Sequence, residues 1–137
     1  MPAVSYKKEF REEIVPEYRV LLKENTVSLT IVDYQMQIIA FSLKKFLEFL
    51  PGSQENEEAL KKQVFKDVSS IVSDFFPMVG SDVGDYGSVL EDAETWFKQL
   101  AVEPYLTARR FVREYYAQME SGNPIDCFGL ERRFNLH

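Results

Sequence analysis

The chain has 137 residues, of which 45% are apolar and 28% charged, a length and balance that suit one globular domain with its own core. Its net charge of −6 works against phosphate backbones, so nucleic acid is disfavoured as a partner. A single Cys and a single His exclude an intrachain disulfide, a four-ligand Cys/His zinc site and the paired Glu-x-x-His motifs of di-iron bundles.

In chain order, residues 5 to 24 read as a charged helix with Phe10, Ile14, Tyr18, Leu21 and Leu22 on one stripe and a kink or restart at Pro16. Asn25 and Thr26 offer a break. Residues 27 to 50 carry Val32, Met36, Ile39, Leu43 and Phe46 at helical spacing, with a second apolar row through Ile31, Ile38, Phe41 and Phe49. Two rows predict a central helix packed on several sides. A short strand through Val27, Leu29 and Ile31 is the alternative, though the chain offers it no partner strand.

Pro51-Gly52-Ser53 closes that helix, and Ser53 is the expected N-cap of the next, with Glu55, Glu57 and Glu58 in the favourable first turn. Its core face is Leu60, Val64, Val68, Ile71 and Phe75, flanked by Phe65, Val72 and Phe76. On the solvent side, Glu57 and Lys61 are expected to pair, as are Glu58 and Lys62. Pro77 is expected to end it. Gly80 to Gly87 reads as a loop, and Ser88 with Glu91 forms a capping box for a helix carrying Leu90, Trp96, Phe97 and Leu100. Pro104 fits the first position of the following helix, which holds Ala108, Phe111, Val112, Tyr115 and Met119 and stops at Gly122-Asn123-Pro124. The apolar tail through Ile125, Phe128, Leu130, Phe134 and Leu136 is expected to dock on the bundle or on a second subunit. The expected fold is an all-α, single-domain bundle of about five helices with an ordered C-terminal tail.

Few constellations point to chemistry. The Gly/Asp loop with Asp82 and Asp85 fails the EF-hand frame, because Gly84 and Tyr86 would fall in ligand slots. No phosphate-binding glycine loop is present. No metal or cofactor is expected. Arg109, Arg110 and Arg113, set among Tyr105, Tyr115 and Tyr116, are able to hold an anionic group or an acidic partner surface; the plainer expectation is ion pairing, with Arg110 and Glu114 placed at i,i+4. Cys127 is expected to have no catalytic role.

The segment Arg132-Arg133-Phe134-Asn135-Leu136-His137 has an Arg-x4-His spacing that resembles the active motif of HEPN-type ribonucleases, small all-α proteins that act as dimers. The resemblance covers six residues. It implies His137 as a proton-transfer group and Arg132 as a phosphate ligand.

The leading expectation is a non-enzymatic cytoplasmic protein that works by association, as a homodimer or with another protein, through the Arg/Tyr group and a tail surface of Phe128, Leu130, Phe134 and Leu136. The alternatives are an apolar small-molecule sensor, with its ligand enclosed by the second, third and fifth of these helices, and the ribonuclease. The 14% aromatic content serves either a core, an interface or a pocket.

Overall fold

The computed structural model describes residues 16–17, 31–52, 56–79 and 86–136. These form five α-helices, α1 (Ile31–Phe49), α2 (Glu57–Val79), α3 (Tyr86–Leu100), α4 (Leu106–Glu120) and α5 (Cys127–Arg133), with a 3-10 turn at Leu50–Gly52. No strand occurs among the described residues, and no helix there is long and apolar enough to cross a membrane. The expected helix over 5–24 and the strand alternative at Val27 and Leu29 lie outside the described residues, apart from Pro16 and Glu17, which are helical.

The double apolar row makes α1 the axis of the bundle. It packs against α2, α3 and α4 and touches α5, and every residue from Tyr34 to Leu43 is buried. A helix surrounded in this way must also bury its polar positions, and these find partners where they can. Gln35 Nε2 reaches the Val89 carbonyl at 3.5 Å and Asp92 Oδ2 at 3.4 Å on α3.

On α2, Leu60, Val64, Val68 and Ile71 form the expected buried face, with Phe65 and Val72 beside it. The side chains of Phe75 and Phe76 lie outside the described residues. Three boundaries differ from expectation. The cap of α2 is Asn56, whose Oδ1 accepts from the Glu58 amide at 2.9 Å; Ser53 lies outside the described residues. Pro77 does not end α2, which runs two residues further to Val79. Tyr86 and Gly87 already belong to α3, so Ser88 sits inside the helix rather than at its cap.

Pro104 is also not the first residue of α4. The N-cap is Tyr105, in the left-handed region at φ 68°, and the helix starts at Leu106. The sequence gives no hint of a left-handed Tyr, since non-glycine residues disfavour it. Tertiary contacts hold it: the buried Tyr105 ring meets Phe46 edge-on at 5.3 Å, and its hydroxyl donates to Glu57 Oε2 at 2.6 Å. The expected solvent-side pairs on α2 therefore change. Glu57 is taken by Tyr105, and Lys61 pairs with Glu58 at 2.9 Å, one residue closer than expected.

The tail becomes α5. Asp126 caps it by accepting from the Gly129 amide at 3.0 Å. A Cβ at Gly129 would lie 2.7 Å from Asp126 Cγ, so glycine allows the cap to close. Its far end is a Schellman motif: Asn135 takes φ 54°, its amide donates to the Arg132 carbonyl at 3.3 Å, and the Leu136 amide donates to Glu131 at 2.9 Å. That reversal turns Leu136 back into the core.

Candidate functional site

The Arg/Tyr group expected to act together is divided by the helix that carries it. Tyr105 and Tyr116 are eleven residues apart on α4, about 16 Å along the axis, and both turn toward the bundle. Tyr105 faces α2, as described above. Burial first, and then the Glu57 carboxylate, push its pKa up to about 12. Tyr116 faces α1, where Lys44 Nζ stands 4.8 Å from its ring centroid. Its hydroxyl is buried without a hydrogen-bond partner among the described residues, and burial, followed by the charges of Glu17 and Glu48, drives its pKa upward.

Beside Tyr116 lies a polar cluster that the sequence did not reveal. The Lys45 side chain is only 5% exposed, and its ammonium meets Glu17 Oε2 at 2.6 Å and Glu48 Oε2 at 2.8 Å; Lys44 meets the other Glu17 oxygen at 2.6 Å. Burial raises the pKa of Glu17, but the hydrogen bonds and charges of the two lysines outweigh it and leave the carboxyl below its ordinary value. Every charge in this cluster is matched, so it reads as a structural tie between residue 17 and α1. The signal in sequence was the Lys44-Lys45 pair on an otherwise apolar helix, where a lysine must either snorkel or find carboxylates.

Arg109, Arg110 and Arg113 lie instead on the exposed side of α4. Arg109 donates to the Pro104 carbonyl at 3.2 Å. The Arg110 guanidinium lies 5.9 Å from the Phe134 ring centroid. It does not pair with Glu114 as expected, because Arg133 of α5 takes that carboxylate. This contact and the edge-on Phe111 and Phe134 rings, 5.2 Å apart, lay α5 along α4, with Arg133 at Glu114 and Phe134 beside Arg110; Arg132 is exposed on α5. All five arginines of α4 and α5 are exposed. From residue 99 onward the chain has no lysine at all.

The tail residues expected to form one interface split between inside and outside. Leu130 and Leu136 are buried in this chain's own core and Phe134 is half-buried against it, so none of the three forms a free outward face. Phe128 points the other way at 71% exposure, and Leu106 at 63% stands at the start of α4.

Cys127 is buried and its thiol donates to Asp33 Oδ1 at 3.2 Å. Burial, and then Asp33, push its pKa up to about 12, the opposite of what a nucleophile needs. Arg132 sits in the last turn of α5, and its expected companion His137 lies outside the described residues. No group of three His, Cys, Asp or Glu side chains among the described residues is placed to hold a metal ion.

In the interior expected to enclose an apolar ligand, aromatic rings meet: Phe46 contacts Phe97 at 6.5 Å and Tyr105 at 5.3 Å, and Phe65 contacts Phe97 at 5.4 Å. A surface groove of about 1120 Å³ runs between α2 and α3, floored by Phe65, Leu90 and Phe97.

Compared with family models, with curated proteins and with solved structures, the chain has no match.

Proposed function

We propose that this is a non-enzymatic binding protein that docks an acidic surface of a partner protein on the α4–α5 face. The observation that carries this reading is the exposure of Arg109, Arg110 and Arg113 on α4 and of Arg132 and Arg133 on α5, which packs on α4 through Arg133 and Phe134, in a chain whose net charge is −6. Of these five, Arg133 is paired to a carboxylate, Glu114. Guanidinium groups suit this task because each presents several donors in a fixed plane that matches a carboxylate. Exposed Phe128 supplies the kind of aromatic anchor that concentrates binding energy at an interface.

A homodimer fits this face less well than a second, acidic protein. In a closed twofold pair the same patch meets itself, which would set arginine against arginine. The apolar surplus that favours self-association also shrinks once Leu130, Phe134 and Leu136 are counted inside the bundle. A protonated, buried Cys127 suits a reducing compartment and supports a cytoplasmic setting.

The test is titration of the purified protein with an acidic polypeptide, poly-glutamate, and separately with single-stranded RNA, at low and high salt. The expected result is salt-sensitive binding of poly-glutamate that is lost in Arg109→Glu/Arg113→Glu, with RNA bound no better than by the variant. Equal binding by wild type and variant would overturn the assignment of this face, and a clear preference for RNA would favour the ribonuclease alternative.

A further inference from the structure

The groove between α2 and α3 is independent of the arginine face and differs from it in chemistry. Both helices lie on α1 and meet each other through the Phe65 and Phe97 rings, and a trough remains open along that contact. Along α2 it extends from Glu58 to Ser70, about 18 Å. Its floor is apolar. Ser69 does not change this, because its hydroxyl donates to the Phe65 carbonyl at 2.7 Å.

The rim is cationic. Lys61 and Lys98 are neutralised within their own helices by Glu58 at 2.9 Å and Glu94 at 3.4 Å. Lys62 and Lys66 are left with no ion pair among the described residues, one helical turn apart on the same side of α2. Their methylene stems extend the apolar wall while their ammonium groups stay at the water boundary. The combination is a long apolar channel with two uncompensated positive charges at its edge, in a protein whose overall charge would repel an anion.

We infer that this groove binds a single-chain anionic amphiphile, a long-chain carboxylate, with its alkyl chain along Phe65, Leu90 and Phe97 and its head between Lys62 and Lys66. Charge complementarity selects the head, and the length and apolar floor select the chain. The groove accommodates such a chain without repacking the core.

Native mass spectrometry with hexadecanoate, and with hexadecanol as its uncharged counterpart, tests the inference on the full chain. The expected result is one hexadecanoate per chain, bound at least about tenfold more tightly than hexadecanol, and weakened about tenfold in Lys62→Glu/Lys66→Glu. Both lysines are solvent-facing, and an unchanged far-ultraviolet circular dichroism spectrum checks that the variant is folded; Lys62→Met/Lys66→Met supplies a second variant that removes charge without adding any. Equal binding of alcohol and acid, unchanged binding in both variants, or binding only to anionic vesicles and not to the free acid would each overturn it. Poly-glutamate binding at the arginine face is measured separately and does not depend on the outcome.

Discussion

On one side of α1, α5 is tied to α4 by specific contacts: the Asp126 amide donates to Gln118 Oε1 at 2.7 Å, Arg133 pairs with Glu114, and the Phe111 and Phe134 rings meet edge-on. On the other side, α2 and α3 meet through the Phe65 and Phe97 rings, and a groove stays open along that contact. The two regions also use different cations. Arginines cover the closed surface, where a planar fork makes lateral contacts with rings and carboxylates; lysines edge the open one, where a flexible stem lines an apolar wall. A closed side presents a fixed pattern of charge to another surface, whereas an open side has room to admit a guest.

Both sides depend on the core they share, and its loss has the largest expected effect. Val68 is fully buried on α2, so Val68→Asp would desolvate an unpaired charge, and loss of the cooperative thermal transition is expected. A melt unchanged from wild type would show that the α2 face is not built as described. The second test asks whether α5 is part of the domain or an appendage. Leu130 is fully buried, and Leu130→Ala is expected to cost about 3 kcal/mol in urea unfolding. A loss below about 0.5 kcal/mol, with α4 still helical, would separate α5 from the core.

A smaller effect sharpens the comparison at the joint between α4 and α2. Tyr105→Phe removes the hydroxyl that donates to Glu57 and is expected to cost about 1 kcal/mol at neutral pH. Because the folded pKa of Tyr105 is raised from 10.0 to about 12, its contribution is fully present below pH 10.0 and declines as pH rises through about 12. Wild type should therefore lose stability across that window more steeply than Tyr105→Phe. Some slope remains in the variant, since Cys127 is also raised to about 12 and titrates in the same direction. Identical alkaline slopes would show that the Tyr105 hydroxyl does not stabilise the joint.

Local pattern made much of the architecture legible. The double row on α1 identified a central helix, and the spacing of Leu60, Val64, Val68 and Ile71 identified the buried face of α2, because side-chain period follows directly from helix geometry. Boundaries were less legible where a tertiary partner competes with a local signal. Tyr105 caps α4 in place of Pro104 because Phe46 and Glu57, both distant in sequence, hold it in a conformation its own chemistry disfavours.

The same division runs through the candidate sites. Arg109, Arg110 and Arg113 were visible as a cluster, but Arg133 reached α4 only when α5 folded back along it, and the companion tyrosines turned inward. The Asn135-Leu136 reversal decided which tail residues face the core, and it is set by backbone hydrogen bonds that hydrophobic spacing does not encode. The groove had no sequence signature, since Lys62 and Lys66 read as an ordinary solvated face until Leu90 and Phe97 are brought beside them. By itself, then, the sequence determined that the chain forms amphipathic helices around an apolar axis, because that follows from contacts within a few residues. Which charges share a surface, and where space is left open, was decided only by tertiary structure, because both depend on how helices far apart in sequence are laid against one another.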